Sequence, residues 1–222
     1  MSKQLKYTLT ASILGVGLSV SAAANAQWNG FYVDGGIGAA AATAEVTNNF
    51  NTAGAALQTE TDNGKNNFTL SLGGGWRMDG GQWVLGLGAF YDPVRLDITE
   101  DKISIPGASI NTKIEQKSRY GLRADLGWKL APPTVGYVLI SWNWAEVEVR
   151  QDAGGLNQTQ KETHSGFGYG AGIRHLLPGN WYLYAEFQQV DYNSKNYLGT
   201  NVSQAEVKPH DTIGLIGAGF KF

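Results

Sequence analysis

Apolar and polar positions alternate with a period of two along most of this chain, in runs parted by turn-forming or polar segments. Between Trp28 and Ala39, one face carries Phe31, Val33 and Ile37 and the other carries Tyr32, Asp34 and Gly36. Phe68, Leu70, Leu72 and Trp76 alternate against Thr69, Ser71, Gly73 and Arg77. Asp79, Gly80 and Gly81 then mark a tight hairpin turn into Trp83, Leu85, Leu87 and Ala89, followed by Asp92. The clearest run sets Tyr120, Leu122, Ala124, Leu126, Trp128 and Leu130 against Arg119, Arg123, Asp125 and Lys129. Pro132 and Pro133 turn the chain into Val135 to Ala145, where Val138, Ile140, Trp142 and Trp144 share a face while Tyr137 and Leu139 compete on the other; the tryptophan face is assigned outward. Phe167, Tyr169, Ala171, Ile173 and Leu177 oppose four glycines and Arg174. Pro178, Gly179 and Asn180 turn the chain into Trp181 to Gln188, and a last run places Ile216, Ala218, Phe220 and Phe222 opposite Gly217, Gly219 and Lys221.

These runs predict about eight strands of about 9 to 11 residues, long enough to cross a bilayer's apolar band when tilted. Short turns alternate with polar connections near residues 47–65, 99–111, 151–163 and 193–207. The fold class that follows is all-β: an eight-stranded antiparallel up-and-down transmembrane β-barrel. The tryptophans favour a membrane over a soluble core. Trp28, Trp76, Trp83, Trp128 and Trp181 gather beside the start of the mature chain or a short turn, joined by Phe220 and Phe222, as an interfacial aromatic girdle requires. Tyr91, Tyr120, Trp142, Trp144 and Phe167 would form the opposite girdle. Periodicity alone does not say which face is wet, so a secreted soluble barrel of the lipocalin kind remains the alternative.

Composition adds a route and removes several functions. Lys3 and Lys6 precede an apolar run from Leu9 to Ala24, which ends in Ala24, Asn25 and Ala26, a small-residue cleavage site. Residues 1–26 therefore read as a secretory signal peptide that is removed, and residues 27–222 as one barrel domain. With 17 basic and 19 acidic residues the formal charge is -2, and losing Lys3 and Lys6 takes it to -4, so no basic footprint for nucleic acid exists. The absence of cysteine excludes a lipoprotein or a disulfide scaffold. Thirty glycines and seven tryptophans suit β-structure with closely approaching backbones.

If the apolar faces meet lipid, the inward set includes Asp34, Asp92, Asp125 and Glu186 against Arg77, Arg123, Arg174 and Lys221. Charges at membrane depth are tolerated only when paired or hydrated, which predicts a ladder of ion pairs, with Glu186 facing Arg123 or Arg174. Eight strands leave an interior that side chains can fill, so a polar plug is favoured over an ion pathway. Tyr182, Tyr184, Glu186 and Gln188 facing the glycines of the preceding strand support filling.

The start WNGFYVDGGIG, the alternating connections and the closing GAGFKF resemble the outer membrane β-barrel family that includes the transmembrane domain of outer membrane protein A, the opacity proteins and alphaproteobacterial surface antigens. The architectural likeness covers Trp28 to Phe222, with sharp motifs only at the two ends. It implies a bacterial outer-membrane location with extracellular loops and periplasmic termini, and it makes Phe222 the terminal aromatic read by the barrel-assembly machinery. Two departures stand out. No peptidoglycan-binding segment follows Phe222, so wall tethering does not carry over, and Asp34 stands where the glycine-rich first strand would hold a small residue.

Candidate chemistry is sparse. His164 with Ser165, and His210 with Asp211, fall near the same predicted strand ends, but neighbours in a strand point to opposite faces, and loop-base histidines in solvent are the plainer account. His175 reads as interfacial. Three histidines without cysteine give no zinc spacing, so no catalytic, cofactor or metal residue is assigned. The expected partners are outer-membrane lipid and lipopolysaccharide, the assembly machinery during biogenesis, and a host or surface ligand of the long loops, for a monomer that binds no nucleic acid. The loops are equally compatible with surface shielding. A structural surface barrel leads, a narrow channel for ions or small solutes follows, and a lipid-modifying enzyme is third.

Overall fold

The computed structural model describes residues 28–50, 65–93, 95–105, 108–153, 156–198 and 203–222. The expected signal peptide lies outside the described residues. The strands are β1 (Gly30–Phe50), β2 (Lys65–Asp79), β3 (Trp83–Asp92), β4 (Leu96–Ile105), β5 (Ala108–Ala131), β6 (Thr134–Ala153), β7 (Leu156–Leu176), β8 (Trp181–Tyr192), β9 (Lys195–Leu198) and β10 (Ser203–Lys221).

Ten segments make an eight-stranded wall. β3 and β4 both pair with β5, the first from Trp83 opposite Trp128 to Asp92 opposite Arg119, the second from Leu96 opposite Gln116 to Ile105 opposite Ala108. They are halves of one wall strand parted at Pro93, whose ring nitrogen has no hydrogen for the ladder. β8 and β9 likewise share β10. Antiparallel pairing of β1 with β10, from Tyr32 opposite Lys221 to Phe50 opposite Ser203, closes the sheet and removes its edges.

The alternation along each strand decides inside from outside. Phe31, Val33, Leu72, Leu87, Leu122, Leu126, Val138, Ile140 and Ile216 are exposed, while Asp34, Arg77, Asp92, Arg119, Asp125, Arg174 and Glu186 are buried. That is the inverse of a lipocalin-like barrel, whose outer face is wet, and it fits a wall surrounded by hydrocarbon. In β6 the competition resolves in favour of the tryptophans: Val138, Ile140 and Trp142 face out, while Tyr137 and Leu139 are 6% and 3% exposed inside.

The polar connections are the main correction. β1 runs to Phe50, β5 begins at Ala108, β6 and β7 continue through Ala153 and from Leu156, and β10 starts at Ser203. Most residues expected in loops therefore extend the ladder beyond the apolar band. Backbone pairing needs no apolar face, so a stretch polar on both faces hydrogen-bonds as a strand yet gives no period-two signal. The expected connection from 47 to 65 keeps residues 51–64 outside the described set.

The opposite end is built of short turns. Gly80 to Gln82, Pro132 with Pro133, and Pro178 to Asn180 sit there beside Trp28 and Phe222. Gly81 and Gly179 have φ of +87° and +81°, values that glycine adopts without steric cost. The Phe222 amide donates to the Phe31 carbonyl at 2.9 Å, and Lys129 Nζ binds the Asp79 carboxylate at 2.6 Å. Burial acts to raise the Asp79 carboxyl, but Lys129 and the amides of Trp28 and Gly81 outweigh it and leave the group below its ordinary value.

Candidate functional site: the barrel interior and its far end

β1, β2, β5, β7 and β8 aim alternate side chains at the axis and bring most of the predicted interior charges together. Arg123 on β5 is the hub. It donates to Asp34 Oδ2 at 2.9 Å and stands 3.7 Å from Glu186 Oε1. Asp34 also accepts from Tyr182 Oη at 2.8 Å and lies 3.8 Å from Arg77. Glu186 accepts from Tyr137 Oη at 2.7 Å, and Arg174, lying 3.7 Å from the Tyr137 ring centroid, donates to Asp125 at 2.7 Å. Arginine and carboxylate thus alternate from Arg77 to Asp125, each buried charge facing an opposite one. Of the two partners considered for Glu186, Arg123 is the one in contact.

Two predicted positions differ. Lys221 stands apart from this network, its Nζ donating to the Asn29 carbonyl at 3.1 Å at the short-turn end. Trp28 is not part of a lipid-facing girdle: it is fully buried, with its ring edge-on to Tyr182 at 6.0 Å. It precedes β1, so strand alternation does not govern its direction, and its amide is fixed by Asp79 at 3.0 Å. Trp76, Trp83, Trp128 and Trp181 do lie on the outer wall, with Phe220 and Phe222 packed edge-to-face beside Trp181.

Trp28 closes the interior at the short-turn end. The Arg77 guanidinium lies 3.7 Å from the Tyr32 ring centroid and 4.6 Å from that of Tyr182, and all four side chains are at most 2% exposed. Farther along the axis, a cluster that sequence reasoning did not assemble pairs Arg119 Nε with Asp92 at 2.7 Å. Beside it, Asp211 accepts from Gln116 at 3.1 Å and from Tyr192 at 3.0 Å. Arg119 belonged to the polar face of its strand, but Gln116 carried no legible signal, because the bulge between Gln116 and Ser118 resets the alternation. Leu96, Ile114, Val147 and Val149 then fill the interior near the far end.

The histidines hold separate posts. His164 is buried and bonds the Asn193 carbonyl through Nδ1 at 3.0 Å, so it is not the solvent-exposed loop residue the sequence suggested. His210 Nδ1 pairs with Asp191 at 2.7 Å, and its Nε2 is buried without a hydrogen-bond partner, so no hydroxyl is engaged by that ring. His175 meets the Thr134 hydroxyl at 2.8 Å. Among the described residues, no cluster of three or more His, Cys, Asp or Glu could hold a metal ion.

The sequence matches the outer membrane protein beta-barrel domain over residues 10–222. The chain belongs to this family. Among solved structures, it is similar to OprG of Pseudomonas aeruginosa at 16% identity, with 90% of this chain and 99% of that one covered and a TM-score of 0.52. The outer membrane protease OmpT of Escherichia coli matches at 9% identity over 88% and 97% of the two chains, again with a TM-score of 0.52. Neisserial surface protein A matches at 16% identity over 86% and 97%, with a TM-score of 0.47. No curated protein sequence matches the chain. At these identities the structural likeness speaks to the fold.

Outside the wall and beyond the far belt, marked by the stacked rings of Tyr120 and Trp144, lies a second charge cluster that the sequence did not reveal. Glu115 contacts Lys113 at 2.5 Å and also Lys117, and Glu148 is bonded by Arg150 with Lys117 and Lys161 at 3.5 and 3.6 Å. Hydrogen bonds from Lys113 and Lys117 hold the Glu115 carboxyl at about 2. Burial acts to raise the Glu148 carboxyl, but the Arg150 hydrogen bond and neighbouring cations leave it below its usual value.

Proposed function

We propose that this protein is a plugged outer-membrane surface barrel that contributes to envelope integrity and presents its long-strand end to the exterior for surface interaction, without catalysing a reaction. The observation that carries this reading is the closure of the interior by Trp28, Tyr32, Arg77 and Tyr182, each at most 2% exposed. An ion crossing the barrel would have to displace a guanidinium held between two tyrosine rings, and a small-solute path would need more room still. The alternating charges support the same reading, since paired buried groups fix the wall strands without a diffusive path. In this orientation the short turns and both described ends of the chain are periplasmic, and the aromatic belts face the two interfaces.

Single-channel recording of the refolded barrel in a planar bilayer tests it, after heat-dependent gel mobility establishes that the protein is folded. A silent membrane is the expected result. Reproducible conductance steps that Arg123→Ala alters would replace the plug by a narrow channel. Chemistry has its own test. His210 and Asp191 form the one His–carboxylate pair among the described ion pairs, so His210→Ala is expected to leave the cell's lipid composition unchanged. Loss of a lipid modification in that variant would overturn the non-catalytic reading.

A further inference from the structure

We propose that Asp211 is a proton-binding site inside the barrel: a buried, un-ionised carboxylic acid whose hydroxyl pairs with the Gln116 amide and ties β10 to β5 across the lumen. Charge balance is the first observation. Around the hub, Arg77, Arg123 and Arg174 meet Asp34, Asp125 and Glu186, so cations and carboxylates match. Farther along the axis, Asp92 and Asp211 have Arg119 between them, and each of the three is at most 5% exposed. Arg119 is committed to Asp92: its Nε donates to Oδ2 at 2.7 Å and its Nη2 lies 2.5 Å from the same oxygen. An ionised Asp211 would therefore leave an unmatched negative charge among the described interior residues, between the aromatic closure and the aliphatic layer, where a lone charge is costly. A single proton removes it.

Hydrogen bonding is the second observation and does not depend on the first. Gln116 Nε2 and Tyr192 Oη both donate to the same oxygen of Asp211, Oδ2. Asp211 Oδ1 is buried without a partner, and so is Oε1 of the amide whose nitrogen holds Oδ2. Both are acceptors, and two acceptors cannot satisfy each other. A hydrogen on Oδ1 makes it the donor that Gln116 Oε1 lacks, and acid and amide then pair along both edges, N–H to C=O and O–H to C=O. The remaining neighbours do not replace that proton. Arg119 attracts the ionised form of Asp211 and Asp92 on β3 opposes it. His164 on β7 is engaged by the Asn193 carbonyl, and Ala42 on β1 and Val190 on β8, opposite Asp211 in register, carry no charge. A hard metal cation would need about six oxygen ligands and would sit beside the Arg119 guanidinium, whereas a proton needs one oxygen to hold it and one to receive it.

The test folds the full chain in alkyl-maltoside micelles, which have no carbonyl of their own, and records its infrared spectrum at neutral pH with and without carbon-13 in the aspartate carboxyls. One carboxylic-acid C=O band that moves with the label is expected, and Asp211→Asn should abolish it. The asparagine amide reproduces both edges of the neutral acid, so this variant should unfold at a urea concentration no lower than the parent's. The folded chain holds a proton that the unfolded chain releases, so the parent's midpoint should fall as pH rises above the ordinary carboxylate range, relative to a level Asp211→Asn. If Asp211→Asn does not fold, Gln116→Leu, which takes a donor from the acid carbonyl, should move the band to higher frequency. No acid band in the folded parent, a band that survives Asp211→Asn, or one that ignores Gln116→Leu overturns the site. An absent band together with a midpoint that climbs with sodium concentration would overturn the proton in favour of a metal cation. Conductance enters none of these readouts, so this proposal and the plugged reading can fail separately.

Discussion

Two arginines buried side by side do different work, and the difference can be measured. Arg77 is held mainly by rings, and the carboxylate it meets among the described residues, Asp34 at 3.8 Å, has a closer partner in Arg123 at 2.9 Å. Removing Arg77 therefore leaves Asp34 paired and should cost about 2 kcal/mol, the scale of a desolvated cation–π contact. Arg123 serves both Asp34 and Glu186, and Arg123→Ala leaves Glu186 without its cation and Asp34 with only the more distant Arg77, a loss of about 3–5 kcal/mol. Urea unfolding in lipid vesicles should place Arg123→Ala below Arg77→Ala, and the reverse order would show that the rings, not the ion pairs, dominate the interior. Glycine placement gives a second contrast at the seam. A Cβ on Gly38 would strike the Gly214 carbonyl and the Leu215 Cα, both backbone, whereas one on Gly214 meets nothing within 4 Å. Gly38→Ala should cost more than about 1 kcal/mol, while Gly214→Ala stays within about 0.5 kcal/mol of the parent. The unfolding midpoints of the two variants check this.

The strands beyond the apolar band rest on a different physics from the strands within it. Inside the band, each strand turned one apolar face to lipid, and that alternation made the wall legible from Phe31 in β1 to Phe220 in β10. Beyond it, the outer face of β5 and β6 turns polar at Lys113, Glu115, Glu148 and Arg150 while the inner face turns apolar at Ile114, Val147 and Val149, so the lipid-facing signal is inverted although the backbone pairing persists. The extensions were invisible to pattern reasoning for that reason, as was the partnership of Gln116 with Asp211, which depends on a bulge. Ion pairs help hold the extension, so it should respond to acid. The Glu115 carboxyl is depressed from 4.5 to about 2 in the fold, and a group depressed by folding contributes stability above its unfolded value that is lost as pH falls through the folded one. The protection of the ladder amides around residues 113–116 and 147–150 against hydrogen exchange, taken relative to the intrinsic rate at each pH, should therefore be constant above about 4.5 and fall toward about 2. Glu115→Gln should flatten that dependence, with the belt-to-belt segment of β5 as the unaffected reference. Protection that stays flat in the parent would mean that backbone pairing alone maintains the extension.

At the scale of the molecule, the barrel has two interior layers in series, and neither was assigned as a seal from sequence. At the short-turn end, Trp28, Tyr32, Arg77 and Tyr182 close it; the rings of Tyr32 and Tyr182 were legible as inward-facing, but the entry of Trp28 was not, since it precedes the alternating run. Near the far end, Leu96, Ile114, Val147 and Val149 form an aliphatic layer, none more than 8% exposed. A charged layer between them supplies hydrogen-bonding groups, but an ion that reached it would still meet hydrocarbon on the way out, where shedding its hydration is costly. The two layers therefore act independently on permeation. Tyr32→Ala with Tyr182→Ala opens only the first, and should leave the bilayer silent while lowering the unfolding midpoint. Adding Ile114→Ser and Val149→Ser, which wets the second, should produce conductance steps. Steps from the tyrosine variant alone would show that the aliphatic layer does not seal, whereas silence from a folded four-site variant would place the barrier in the arginine and carboxylate layer itself.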